Sequence, residues 1–224
     1  MQKESNIEIP SPERIGLDEA GKGDYFGPLA VAAAYLDSRT EAEAKAWGVR
    51  DSKTLSDARV LSLASQIQQR IPHYILRLDP LDYNRMYDGM QNLNILLATC
   101  HAQALESLLT IQPCGLAIAD QFAHDPAVLS SKLMDKGKKV QLIQTPRGER
   151  DLAVAAASIL ARASFLQGMQ GLRQKYNIPF PKGSTNVVPV LDQFVAQFGR
   201  YRLQEVAKVH FKLKQLRKNI EFFE

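Results

Sequence analysis

The chain has 224 residues, 45% of them apolar and 23% charged, enough to bury a full core as one domain or one domain with a small appendage. It lacks any run of about eighteen uninterrupted apolar residues, and its polar start, Met1-Gln2-Lys3-Glu4-Ser5, has no signal-peptide core, so no membrane partner and a cytoplasmic location are expected. The formal charge is +4, mild for a nucleic-acid binder, but seven Lys or Arg residues face one acid, Glu205, between Arg200 and Lys218, which suits a phosphate-binding surface or a solvated helix face equally.

Residues 1–13 read as a leader, with Pro10 and Pro12 blocking regular structure. An extended segment follows at 14–18, then a glycine-rich turn at 21–27. Residues 29–36 are continuously apolar and read as a strand buried on both faces, although their alanines also suit a helix. A helix is expected over 56–70, with Ser56 as N-cap and Asp57 in its first turn. A strand over 73–78 stops at Asp79-Pro80, and a helix with one broad apolar face runs over 93–109. Residues 115–119 form a short strand ending in Asp120, and 139–144 form another. A long alanine-rich helix spans 152–176, and two further helices are expected at 190–198 and 203–217. Alternating strands and helices predict an α/β domain with a mixed sheet, the Pro179-Phe180-Pro181-Lys182-Gly183 stretch joining residues 14–178 to a helical C-terminal extension at 179–224. Cys100 and Cys114, without CxxC spacing, read as small half-buried hydrophobes, and Trp47 as structural.

The most informative segment is Gly16-Leu17-Asp18-Glu19-Ala20-Gly21-Lys22-Gly23-Asp24-Tyr25-Phe26-Gly27-Pro28. Gly16 to Lys22 satisfies the front of a phosphate-binding P-loop, but Gly23 stands where that motif needs Ser or Thr, and two carboxylates inside the loop would repel a phosphate. The segment reads instead as a strand delivering an acidic pair into a glycine turn. Carboxylate oxygens suit magnesium or manganese, and glycines let backbone amides approach a phosphate or sugar closely. Regular strand geometry points Asp18 and Glu19 to opposite faces, so both serve one site only if the backbone bends. Asp120, at the end of an apolar strand, emerges where ligand groups collect in α/β sheets. Glu149 precedes the alanine-rich helix. Four carboxylates from separate elements suit a two-metal site for phosphodiester cleavage, although the residues alone leave their convergence open. Tyr25 and Phe26 read as core residues, with stacking on a base as the alternative.

Asp18-Glu19-Ala20-Gly21-Lys22-Gly23 resembles the opening motif of the type 2 ribonucleases H, HII and HIII. The continuation Asp24-Tyr25-Phe26-Gly27-Pro28 favours ribonuclease HIII. Further blocks with that resemblance are Asp51-Ser52-Lys53, Asn92-Leu93-Asn94, the run from Leu152 to Arg162, Pro181-Lys182-Gly183-Ser184 and His210-Phe211-Lys212. They stand in the family's order along most of the chain. The resemblance implies a ribonuclease H-like mixed sheet flanked by helices, and hydrolysis of the RNA strand of an RNA–DNA hybrid. It also implies Mg²⁺ or Mn²⁺ at a two-metal site of Asp18, Glu19, Asp120 and Glu149. Asp151 is the alternative fourth ligand. The backbone of Gly21, Lys22 and Gly23 is expected to read the ribose 2′-hydroxyl, and Ser52, Lys53 and Lys182 to hold phosphates. His210 is read as a polar residue on a basic helix.

Only seventeen residues precede Asp18, where ribonucleases HIII commonly carry a substrate-binding domain, so either affinity is expected from the catalytic domain and the basic C-terminal segment, or the chain is a shortened form. The alternatives are incision at single ribonucleotides embedded in DNA, as in ribonuclease HII, and a non-catalytic hybrid-binding protein. A monomer is expected, since no heptad run is present.

Overall fold

The computed structural model describes residues 13–211. Five strands, β1 (Arg14–Ala20), β2 (Leu29–Leu36), β3 (His73–Leu78), β4 (Leu116–Asp120) and β5 (Gln141–Thr145), form one sheet in the order β3-β2-β1-β4-β5. β1, β2 and β3 pair antiparallel, while β4 and β5 run parallel to β1, so the sheet is mixed. The helices are α1 (Ser38–Trp47), α2 (Asp57–Arg70), α3 (Pro80–Met90), α4 (Leu93–Ile111), α5 (Ala127–Ser130), α6 (Leu152–Tyr176) and α7 (Val188–Phe198). The architecture is the mixed, helix-flanked sheet of a ribonuclease H fold.

Strand alternation divides the core. Ile15 and Leu17 of β1 and Val31 and Ala33 of β2 pack with α4, whereas Ala30, Ala32 and Ala34 pack with α2 and α6 on the other face. The alanines of β2 make that second face shallow, which lets α6 approach closely. Gly16 shows how closely: a Cβ there would stand 2.0 Å from the Ala153 backbone carbon. The apolar composition of α6 follows from this central position, since its most apolar stretch is 67% buried.

A third cluster joins Tyr25 and Phe26 to Phe165, Met169 and Tyr176 of α6 and to Ile178, Leu191 and Phe194. Tyr25 and Phe26 are core residues, 2% and 0% exposed. Cys100 is buried, and burial pushes its thiol up to about 12, while Cys114 is half-buried and donates to the Leu116 carbonyl. Trp47 packs at the margin of the second core.

Some elements differ from the sequence expectation. α1 shows little apolar periodicity and is set by its ends: Asp37 and Thr40 form a capping box, and Gly48 closes the helix in the left-handed region at φ 77°. Asp79-Pro80 ends β3 but also opens α3, with proline in the first turn, where its missing N–H costs nothing. β5 starts at Gln141 because Gly137–Lys139 form a 3₁₀ turn.

The helix expected over 203–217 is absent from its described part. Arg200–Glu205 is 3₁₀, and Ala207 then pairs antiparallel with Phe26. Val206, Ala207 and Lys208 are all buried, as a segment laid against the glycine turn requires and a one-sided surface helix would not. Residues 212–217, like the leader at 1–12, lie outside the described residues.

Candidate active site

Leu17 pairs with Ala119 in the parallel β1–β4 ladder, so the next residues, Asp18 within β1 and Asp120 as the last residue of β4, lie side by side toward the same end of the sheet. A cleft of about 430 Å³ opens there, lined by both aspartates together with Glu19, the Gly21–Gly23 turn, Lys53 and Arg162. Ser52, Ser158, Phe165 and Lys182 line it as well.

β1 does not bend at the acidic pair, and the expected bend is not needed, since Asp18 and Glu19 both line the cleft from a regular strand. Asp18 pairs with Ala32 and Glu19 with Val31 in regular antiparallel register, so the two side chains leave opposite faces of the sheet. Asp18 turns toward α6, where Ser158 hydrogen-bonds it. Glu19 turns toward α4, where His101 Nε2 stands 2.9 Å from its Oε2. The site is thus assembled around a strand end, with each helix layer supporting one acid.

The electrostatics of the pair are opposed. Burial first, then the charge of Glu19 and that of Asp120, push the Asp18 carboxyl up to about 7, against hydrogen bonds from Ser158 and the Glu19 amide. Burial alone would also raise Glu19. The hydrogen bond and charge of His101 and the ammonium of Lys22, 2.6 Å from Oε1, reverse that and hold Glu19 below the usual carboxylate range. Partial burial disfavours the charged form of Lys22, but Glu19, Asp18 and Asp120 outweigh it and raise its pKa. The Lys22 ammonium therefore serves as the counter-charge of the acids Glu19, Asp18 and Asp120.

Asp120 Oδ1 accepts the Gly148 amide at 2.8 Å. The contact demands glycine, because a Cβ at 148 would stand 2.9 Å from the Asp120 Cα. This packing sets Glu149, in the 3₁₀ turn Gly148–Arg150, beside Asp120 in the chain path, with its side chain half-exposed and outside the cleft lining. Asp151 is engaged elsewhere: Oδ1 caps α6 through Ala153 N, and Oδ2 accepts Arg14 Nε at 2.6 Å. That leaves Glu149 as the less committed of the two acids. Among the described residues no three carboxylate, imidazole or thiolate groups converge into a ligand cage. Glu19 has both oxygens occupied by His101 and Lys22.

Gly21 has φ 91° and no room for a Cβ, which would lie 2.3 Å from the Pro28 carbonyl. Gly23 differs, since a Cβ there meets nothing within 4 Å and the open side belongs to the cleft. Ser52 is buried with its hydroxyl 2.8 Å from that of Ser158. Its neighbour Lys53 is exposed at the cleft. Asp57 anchors two cations, Arg162 and Lys182, each at 2.7 Å, and Arg162 also bonds the Ser52 carbonyl. The half-exposed Asp57–Lys182 pair is worth about 0–1 kcal/mol.

His101, Ser158, Arg162 and Phe165 were not singled out in the sequence as site residues. Ser158, Arg162 and Phe165 follow one another at helical spacing on α6, a stripe beneath the catalytic end of the sheet. His101 sits at helical spacing between Leu97 and Leu105 on the buried face of α4, a polar interruption that was a legible signal. His210 is not on a helix: its ring stacks on Tyr87 at 3.9 Å, behind the site.

The sequence profile of the ribonuclease HII family matches residues 15–214. Ribonuclease HIII of Protochlamydia amoebophila is 44% identical over 199 residues, covering 88% of this chain and 66% of the relative. That of Chlamydia felis is 41% identical over 212 residues, 93% of this chain and 70% of the relative. Among solved structures, Bst-RNase HIII in complex with Mn²⁺ superimposes with a TM-score of 0.85 at 33% identity, covering 95% of this chain and 71% of that one. The chain thus spans just under two thirds of the length of the first of these relatives.

Proposed function

Because the chain belongs to the ribonuclease HII family and its relatives are ribonucleases HIII, we propose that it hydrolyses the RNA strand of RNA–DNA hybrids, leaving 5′-phosphate and 3′-hydroxyl ends. The observation that carries this reading is the meeting of Asp18 and Asp120 toward one end of the sheet, in a cleft that also holds the Gly21–Gly23 turn and the cations Lys53, Arg162 and Lys182.

The donor set fits a hard divalent cation. It offers only carboxylate oxygens, and burial together with the charges of Glu19 and Asp120 raises the proton affinity of Asp18, so a cation relieves a repulsion already present. Asp18, Asp120, Glu149 and Glu19 would hold Mg²⁺ or Mn²⁺. Bound there as a pair, such ions supply an activated water and a stabilised leaving 3′ oxygen.

The chain's own residues do the rest. Lys22 leaves Glu19 Oε1 when the carboxylates engage a cation, and its ammonium then faces the substrate phosphate. His101 keeps its hold on the other oxygen of Glu19 and so fixes that carboxylate's direction. Gly23, open on its cleft side, lets the backbone of the turn approach the ribose, where the 2′-hydroxyl distinguishes RNA from DNA. Lys53 and Lys182 receive flanking phosphates, Lys182 by exchanging Asp57 for the backbone of the duplex. The protein acts as a monomer on this reading.

The test is cleavage of an end-labelled RNA–DNA hybrid with Mg²⁺ or Mn²⁺, by wild type and by Asp120→Asn. Cleavage of the RNA strand alone, lost in the variant, supports the assignment. Faster incision of a duplex with one embedded ribonucleotide would move the activity to ribonuclease HII behaviour. Hybrid binding in EDTA with no cleavage under any metal would make the protein a binding module.

A further inference from the structure

Lys208 is 0% exposed, and no carboxylate lies within ion-pairing distance of its ammonium among the described residues. Nζ donates instead to two backbone carbonyls, Asp24 at 2.9 Å and Gly27 at 2.7 Å, and lies 5.5 Å from the centroid of the Tyr83 ring. A buried charge is costly, and an apolar side chain would fill the space without that cost. The feature an apolar residue cannot reproduce is the pair of N–H donors bridging Asp24 to Gly27.

Those two carbonyls bound the downstream half of the glycine turn. Its upstream half, Gly21-Lys22-Gly23-Asp24, is closed by Asp24 N donating to the Gly21 carbonyl at 3.2 Å. Around Lys208 the backbone repeats the attachment. Gly27 N donates to Val206 O at 2.9 Å and Lys208 N to Tyr25 O at 2.8 Å. From the opposite side Gly183 N reaches Asp24 Oδ1 at 2.6 Å. The 206–208 segment is itself fastened to α3, since Asn84 donates to the Ala207 carbonyl and accepts from Val209 N.

We propose that Lys208 is a positioning residue for the substrate: its ammonium locks the Asp24 and Gly27 carbonyls so that the Gly21–Gly23 backbone is presented to the ribose of the RNA strand in one fixed conformation. The inference rests on the hydrolase reading above. It makes the C-terminal segment part of the sugar-reading apparatus without touching substrate itself. Burial pulls the Lys208 pKa down to about 7, against the charge of Asp24, consistent with an ammonium kept dry inside this junction.

The test is Lys208→Met, which keeps the stem and removes the donors, with Lys208→Gln, which keeps N–H donors but is uncharged and shorter. Kinetics on a short RNA–DNA hybrid should show KM raised about tenfold with kcat changed much less, the Gln variant falling between. Mn²⁺ affinity measured by calorimetry without substrate should stay within about twofold, because the carboxylates belong to β1, β4 and the turn before α6, none of which Lys208 bonds. Hydrogen exchange should quicken at residues 21–27 and not in β1 or β4. A folded Lys208→Met with wild-type KM and unaltered exchange overturns the inference. Parallel loss of Mn²⁺ binding overturns it too, since Lys208 would then act through the metal site. Should the Met variant not fold, the wild-type amides of Gly27 and Lys208 decide: equal protection supports one cooperative unit, and much faster exchange at Gly27 refutes it. An inactive wild type, by contrast, fails the hydrolase reading itself.

Discussion

His101 on α4 and Glu19 on β1 are paired at 2.9 Å across 82 residues of sequence, in a spot where the imidazole is fully buried and the carboxylate only 3% exposed. The ring also lies against Phe122, two residues beyond Asp120, so one imidazole contacts the surroundings of two acids. On the proposed metal-dependent reading its role is to direct Glu19, in the way that partners behind metal ligands set their orientation.

His101→Phe keeps a ring against Phe122 and removes the hydrogen bond. Mn²⁺ affinity, measured by calorimetry, is expected to fall by about 10–100-fold while the far-UV circular dichroism stays that of the wild type. Unchanged affinity would make the pair a packing feature only.

Asp18 governs a pH effect on the metal-free protein. Its folded pKa, about 7, lies above its ordinary value, so between about pH 4 and 7 the folded chain holds a proton that the unfolded chain has lost. Stability therefore falls as pH rises through that window and levels off above it. Asp18→Asn lacks the effect. In EDTA its Tm should exceed that of the wild type at pH 8, by on the order of several degrees, and the gap should close toward pH 4. A gap that is constant with pH would contradict the assignment.

Two glycines separate fold from function. Gly16→Ala drives a Cβ into the Ala153 backbone, which belongs to a buried helix and cannot yield, so a loss of at least about 3 kcal/mol in denaturant unfolding is expected. Gly23→Ala adds its methyl to open space and should leave stability within about 0.5 kcal/mol. Its effect should appear in KM for the hybrid, since the methyl enters the path by which the turn reaches the ribose.

Lys53 and Lys182 predict different salt responses. With cleavage blocked by EDTA, Lys53→Ala should lower the slope of log affinity against log salt by about one. Lys182→Ala should lower it less, because Lys182 gives up an existing ion pair with Asp57 when it binds a phosphate. Equal slopes for both variants and the wild type would place the phosphate track elsewhere.

Much of this protein could be read from its residues in order. The apolar strands, the capped helix after Ser56, the alanine-rich helix and the acid pair ahead of a glycine turn are local patterns, and local patterns depend on propensity, periodicity and turn chemistry that a sequence displays directly. Three helices escaped: α1 is set by its caps and the Arg14–Glu41 ion pair, α3 by a proline that also ends a strand, and α5 is four residues, too short to show a period. The stretch at 206–211 escaped for the opposite reason. Its basic, helix-forming composition was overridden by pairing with the glycine turn and by burial of Lys208. Sequence alone determined which acids and glycines were available and that a strand would carry them. Only the tertiary structure decided that Asp18 and Asp120 lie toward one end of the sheet, that Glu19 answers to His101 while Asp151 is committed to Arg14 and the cap of α6, and that the C-terminal segment braces the turn. Each of those is a contact between residues far apart in the chain, set by sheet register and helix packing, which no single stretch of sequence specifies.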